Sequence, residues 1–101
     1  MLIRAQDKVE IVNLDNIVSI YAHVIKPKDK GIREEYETEI KYHEGNLNNR
    51  WLGKYSSEEK AIKVLDMIQN TYVEGSEWLT AAGKVFEMPA DDEVNVWTYK
   101  N

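Results

Sequence analysis

The sequence predicts an α+β domain in which a twisted antiparallel sheet of roughly four to six strands is packed by one main C-terminal helix. Three observations carry that expectation. The first 55 residues alternate apolar and polar side chains with a period of two, as strands do. A helical stripe then follows a serine-rich start, and 101 residues suffice for one hydrophobic core and no second. The chain reads as a single domain, 1–101, with β-rich hairpins over 1–55, a helix over 56–75, and an irregular segment with short terminal strands over 76–101.

The opening reads as a hairpin. Leu2-Ile3-Arg4-Ala5-Gln6 and the β-branched run Val9 to Leu14 flank a polar turn around Asp7-Lys8. After Asp15-Asn16 comes a clear alternation, with Val18, Ile20, Ala22 and Val24 on one face and Ser19, Tyr21 and His23 on the other. Lys26-Pro27-Lys28-Asp29-Lys30-Gly31 stops that strand, because proline lacks a ladder donor and glycine permits a tight turn. Tyr36, Thr38, Ile40 and Tyr42 then face one way, and Glu35, Glu37, Glu39, Lys41 and His43 the other. A turn-rich stretch, Glu44 to Asn49, leads to the short strand Trp51-Leu52-Gly53-Lys54-Tyr55.

Ser56-Ser57-Glu58-Glu59 has the spacing of a capping box, with Ser56 accepting from the Glu59 amide. Ala61, Val64, Leu65, Ile68 and Tyr72 follow as the buried stripe, Ile62 and Met67 widen it, and Gly75 marks its end. The helix is expected to cover Val18, Ile20 and Val24. Beyond it, Lys84 to Met88 reads as a strand stopped by Pro89, Asp91-Asp92-Glu93 as a flexible acidic joint, and Val94 to Tyr99 as a last alternating strand.

Composition narrows the function. Hydrophobic residues make up 43% and charged residues 31%, as in an ordinary globular domain. The absence of cysteine removes disulfides, thiol catalysis, thiolate zinc sites and iron–sulfur clusters. Thirteen Lys and Arg against 18 Asp and Glu give −5, a charge that disfavours nucleic acid and anionic membrane surfaces. With neither a long apolar run nor a leader pattern at Met1 to Lys8, the expected location is the cytoplasm.

No constellation supports an enzyme. His23 and His43 lack metal-ligand spacing, and His43 and Glu44 point to opposite faces of a strand. Ser19, Ser56, Ser57 and Ser76 stand in no nucleophile elbow, and the glycines form no phosphate loop. Glu35, Glu37 and Glu39, spaced roughly 6–7 Å along a strand, read as a solvated face. No cofactor or metal is implied.

Two surface features remain. Lys26, Lys28, Lys30 and Arg33 gather positive charge at a hairpin tip, a geometry that can grip a phosphate or another anionic ligand. Trp97 and Tyr99, on a short strand after a charged joint, are the candidate contact with a partner protein or with a second copy of the chain. The leading expectation is a small non-catalytic interaction or self-association module. An anionic-ligand binder is the alternative.

Ile3-Arg4-Ala5-Gln6-Asp7-Lys8, Val12-Asn13-Leu14-Asp15-Asn16-Ile17 and the run from Leu52-Gly53-Lys54-Tyr55-Ser56-Ser57 to Ile68-Gln69 resemble a set of short proteins of Firmicutes bacteria and their phages or mobile elements. The resemblance covers 1–72 and Phe86-Glu87-Met88-Pro89, and it implies origin rather than activity. No functional residue is carried over from it. The order of strands then capping helix is loosely similar to pleckstrin-homology-type rolls, a fold-level likeness that hosts unrelated functions.

Overall fold

The computed structural model describes residues 1–25, 37–45, 49–76 and 85–95. Among the described residues, six strands, one helix and two 3-10 turns make an α+β fold. The strands divide into two three-stranded sheets instead of one continuous sheet.

In the first sheet, β1 (Leu2–Arg4) pairs antiparallel with β2 (Ile11–Asn13), as the hairpin reading expects. The Ala5 amide donates to the Glu10 carbonyl at 2.9 Å, and the Lys8 amide to the Ala5 carbonyl at 2.9 Å. Lys8 closes the loop in the left-handed region, at φ 70°. On its other side β1 pairs with β6 (Val85–Glu87), and this pairing is parallel. An antiparallel sheet does not contain it: parallel neighbours need a long crossover, and here that crossover is nearly the whole chain. Val12, Ile3 and Phe86 stand opposite one another across the sheet and are all buried.

The second sheet is a meander of β3 (Ser19–Val24), β4 (Thr38–His43) and β5 (Asn49–Tyr55). Period-two burial is cleanest on β4, where Thr38, Ile40 and Tyr42 point inward. The ladder to β5 shifts register between Ile40 and Lys41, so that Ile40 faces Gly53 while Lys41 faces Trp51. Leu52 is the extra residue of that bulge, which turns it inward beside Gly53, and both are buried. Val18 corrects the alternation read for β3. It precedes the strand, just after the 3-10 turn Leu14–Asn16, and is 69% exposed, so the helix does not cover it. Ile20 and Ala22 do pack against the core, and Val24 is half-buried.

The helix α1 (Glu58–Ser76) lies across β3, β4 and β5. Ala61, Val64 and Ile68 are buried under it, and Leu65 and Met67 pack at its margin. Complete burial of Val64 or Ile68 stabilises the fold by roughly 1.5–3 kcal/mol each. Tyr72 and Ile62, read as part of the stripe, are both 46% exposed. A helix of 19 residues runs about 28 Å, longer than the strands beneath it, which accounts for Tyr72, while Ile62 lies one helical step off the buried line of Ala61, Val64 and Ile68. The cap also shifts by one residue. Ser57 Oγ accepts from the Lys60 amide at 3.2 Å, and no carboxylate reciprocates because Lys60 occupies the third position.

Asp91–Glu93 is a 3-10 turn and not a flexible joint. Asp91 Oδ1 accepts from the Ser56 amide at 2.8 Å, Asp91 Oδ2 pairs with Lys60 Nζ at 3.5 Å, and Glu93 Oε1 accepts from the Ala90 amide at 2.9 Å. Val94 follows as a core residue, 5% exposed.

Candidate functional site

Two polar assemblies join segments that are far apart in sequence. The first is a clamp centred on Gln6. Its amide donates to the Leu52 carbonyl at 2.8 Å, its Oε1 accepts from the Lys54 amide at 2.9 Å, and its Nε2 donates to the carbonyls of Lys54 at 3.2 Å and Pro89 at 3.0 Å. Tyr55 Oη donates to the same Pro89 carbonyl at 2.7 Å. Burial, then the negative charge of Asp91, pushes the Tyr55 phenol well above its ordinary value, so it remains a donor. Gly53 fits because a Cβ there would lie 3.2 Å from the Tyr55 ring and 3.3 Å from Gln6 Cβ. The groups of this clamp are bonded to one another, which makes it a structural joint.

The second assembly borders an open cleft of about 390 Å³, lined by Glu10, Ile11, Val12, Asn13, Asn16, Ile17 and Glu44. Tyr42 and Arg50 are cross-strand neighbours on β4 and β5, and both reach Glu10 Oε2. Tyr42 Oη donates at 2.7 Å, and Arg50 Nη2 lies at 3.4 Å. Arg50 Nε is also 4.0 Å from Glu44 Oε2. Burial first, and then the bond to Glu10, pushes the Tyr42 phenol up to about 12. The phenol therefore stays neutral and keeps donating to Glu10. The Arg50 guanidinium is held above its already high ordinary value, first by Tyr42, which is ionised only at the strongly alkaline pH where arginine titrates, and then by Glu10.

The cleft runs along an open strand edge. In the β1–β2 ladder Ala5 and Glu10 are bonded opposite one another, and the Leu14 amide donates to the Met1 carbonyl at 2.9 Å. Antiparallel pairs alternate between bonded and non-bonded, so Ile3 and Val12 are a bonded pair while Ile11 and Asn13 sit in non-bonded positions. The N–H and C=O of Ile11 and the N–H of Asn13 thus point away from β1. Among the described residues they have no partner. Ile11 is 51% exposed beside them, and Val18 adds apolar surface near Gly45.

The other candidates fall as follows. Trp97, Tyr99, Lys26, Lys28, Lys30 and Arg33 lie outside the described residues. His43 stands opposite Ser19 and His23 opposite Glu39, at positions about 13 Å apart along the ladder, so the histidines do not converge. Of the glutamate row, Glu37 pairs with Lys54 at 3.7 Å and Glu39 with Lys41 at 3.8 Å, and Glu35 lies outside the described residues. Among the described residues, no three His, Asp or Glu side chains form a metal-binding group, and no helix is long and apolar enough to cross a membrane.

Glu10, Tyr42 and Arg50 were not legible as a group from sequence. Their separations of 32 and 40 residues leave no local spacing to read. The chain matches no family model, no curated protein and no solved structure.

Proposed function

We propose that this protein is a small non-catalytic interaction module that docks an extended segment of another protein along the free edge of β2. One observation carries the reading: three unpaired backbone groups of Ile11 and Asn13 border a cleft lined by Ile11, Val12 and Ile17. An added strand satisfies such groups by main-chain hydrogen bonds, and adjacent apolar side chains select among sequences. The polar groups beside the cleft agree with binding over catalysis. The Tyr42 hydroxyl donates to Glu10 Oε2 and the Arg50 guanidinium faces the same oxygen, so the group is a hydrogen-bonded ion pair that holds the carboxylate in its charged form.

The test is selection of nine-residue peptides from a random displayed library, followed by amide mapping of those retained. Selected peptides are expected to shift the Ile11 and Asn13 amide resonances. They should also bind the Asn13→Pro variant about tenfold more weakly than Asn13→Ala, since both variants lose the side-chain cap on the Asp15 amide and only proline removes the outward donor. A library yielding no binder, or binders that perturb only other surfaces, overturns the reading.

A further inference from the structure

We infer that the segment docked beside β2 carries a basic side chain, which takes the place that Arg50 holds between Glu10 and Glu44. This rests on the docking reading and specifies its ligand. Both glutamates line the cleft, and among the described residues neither a lysine nor an arginine does. The positive charge that balances them comes from Arg50, a side chain of the neighbouring strand, and that charge is loosely held. Arg50 is 47% exposed, makes a long hydrogen bond to Glu10 Oε2 at 3.4 Å, and lies 4.0 Å from Glu44 Oε2, at the outer limit of ion pairing.

Glu10 is better ordered, because the Tyr42 hydroxyl donates to it at 2.7 Å from the buried side of β4. An acceptor fixed in this way is available to a second donor at little further cost in side-chain freedom. An incoming guanidinium or ammonium on a strand paired with β2 meets Glu10 next to Ile11, where strand addition places it. Arg50 then swings toward solvent, and the number of charge pairs is conserved. An acidic residue at the same place faces both carboxylates and is rejected. Arg50 thus acts as an internal stand-in that keeps the empty cleft from presenting two uncompensated charges.

Three acetylated seven-residue peptides that alternate valine and threonine around a central Arg, Gln or Glu provide the test, with fluorescence anisotropy as the readout. The Arg peptide is expected to bind wild-type protein about tenfold more tightly than the Glu peptide, with the Gln peptide between them. Arg50→Gln should tighten the Arg peptide several-fold by vacating its place, with little change for the Gln peptide. The double variant Glu10→Gln/Glu44→Gln should abolish the ranking while keeping Gln-peptide binding, because glutamine at position 10 still accepts from Tyr42. Equal binding of all three peptides overturns the basic-side-chain inference and leaves strand docking intact. Failure of all three to bind overturns the docking reading and this inference with it.

Discussion

Gln6 and Lys54, 48 residues apart, pair as two peptide groups of a ladder would. The Gln6 side-chain amide supplies both the acceptor for the Lys54 N–H and a donor for the Lys54 carbonyl. A side chain of the first hairpin thereby pairs with the last strand of the second sheet. Its third bond, to the Pro89 carbonyl, ties in the segment after β6. One residue thus joins three parts of the chain.

Replacing Gln6 with Ala should cost about 1 kcal/mol, since the Lys54 groups lose their partner at an exposed position that water reaches, while the Pro89 carbonyl keeps the Tyr55 hydroxyl. Gln6→Glu should recover little of it, because a carboxylate can accept from Lys54 and cannot donate to either carbonyl. Denaturant midpoints of the two variants against wild type check this. A midpoint unchanged in Gln6→Ala would mean that water replaces the clamp at no cost.

The two serines before α1 are expected to differ. Ser57→Ala removes the side chain that caps the Lys60 amide and should cost about 1 kcal/mol. Ser56→Ala should cost less than that, because alanine retains the backbone N–H that donates to Asp91 at 2.8 Å and only the hydroxyl's share of the Asp91 contact is lost. Thermal melts of both variants decide it, and equal losses would refute the assignment of Ser57 as the cap.

Asp91 should give the fold an acid-sensitive joint. Burial alone would raise its carboxyl, but the Ser56 amide and the Lys60 ammonium hold it below the ordinary value of 3.8. A carboxyl lowered in the folded state stabilises above its unfolded value, and that contribution is lost as the pH falls through the folded one. Wild type is therefore expected to exceed Asp91→Asn in stability above pH 3.8 and to converge with it at lower pH. Unfolding curves of both proteins across the acid range test the sign. A constant gap at every pH would show that the carboxylate charge plays no part.

Truncation should distinguish Val94 from the residues after it. Deleting 94–101 removes a side chain that is only 5% exposed and should destabilise by roughly 1.5–3 kcal/mol. Deletion of 96–101 leaves Val94 in place and removes Trp97 and Tyr99 from any binding assay. Peptide docking that survives this shorter deletion and fails in Asn13→Pro would assign recognition to the β2 edge. Loss of docking on the shorter deletion alone would return it to the aromatic C-terminus.

The fold class, the first hairpin, the inward face of β4 and the central helical stripe Ala61, Val64 and Ile68 are legible in the order of residues alone. Each is a local pattern, two or 3.6 residues in period, that a buried face writes directly into neighbouring residues. The split into two sheets, the parallel pairing of β6 with β1, the inward turn of Leu52 at the bulge, and the anchoring of Asp91 by Ser56 and Lys60 emerge only once the chain is folded. The Glu10, Tyr42 and Arg50 cluster belongs with these. Its members come from three segments, and no periodicity links residues that meet only because a β1–β2 loop and a β4–β5 ladder converge. Alternation tells a residue which side is dry, whereas its partners there depend on the path of the whole chain.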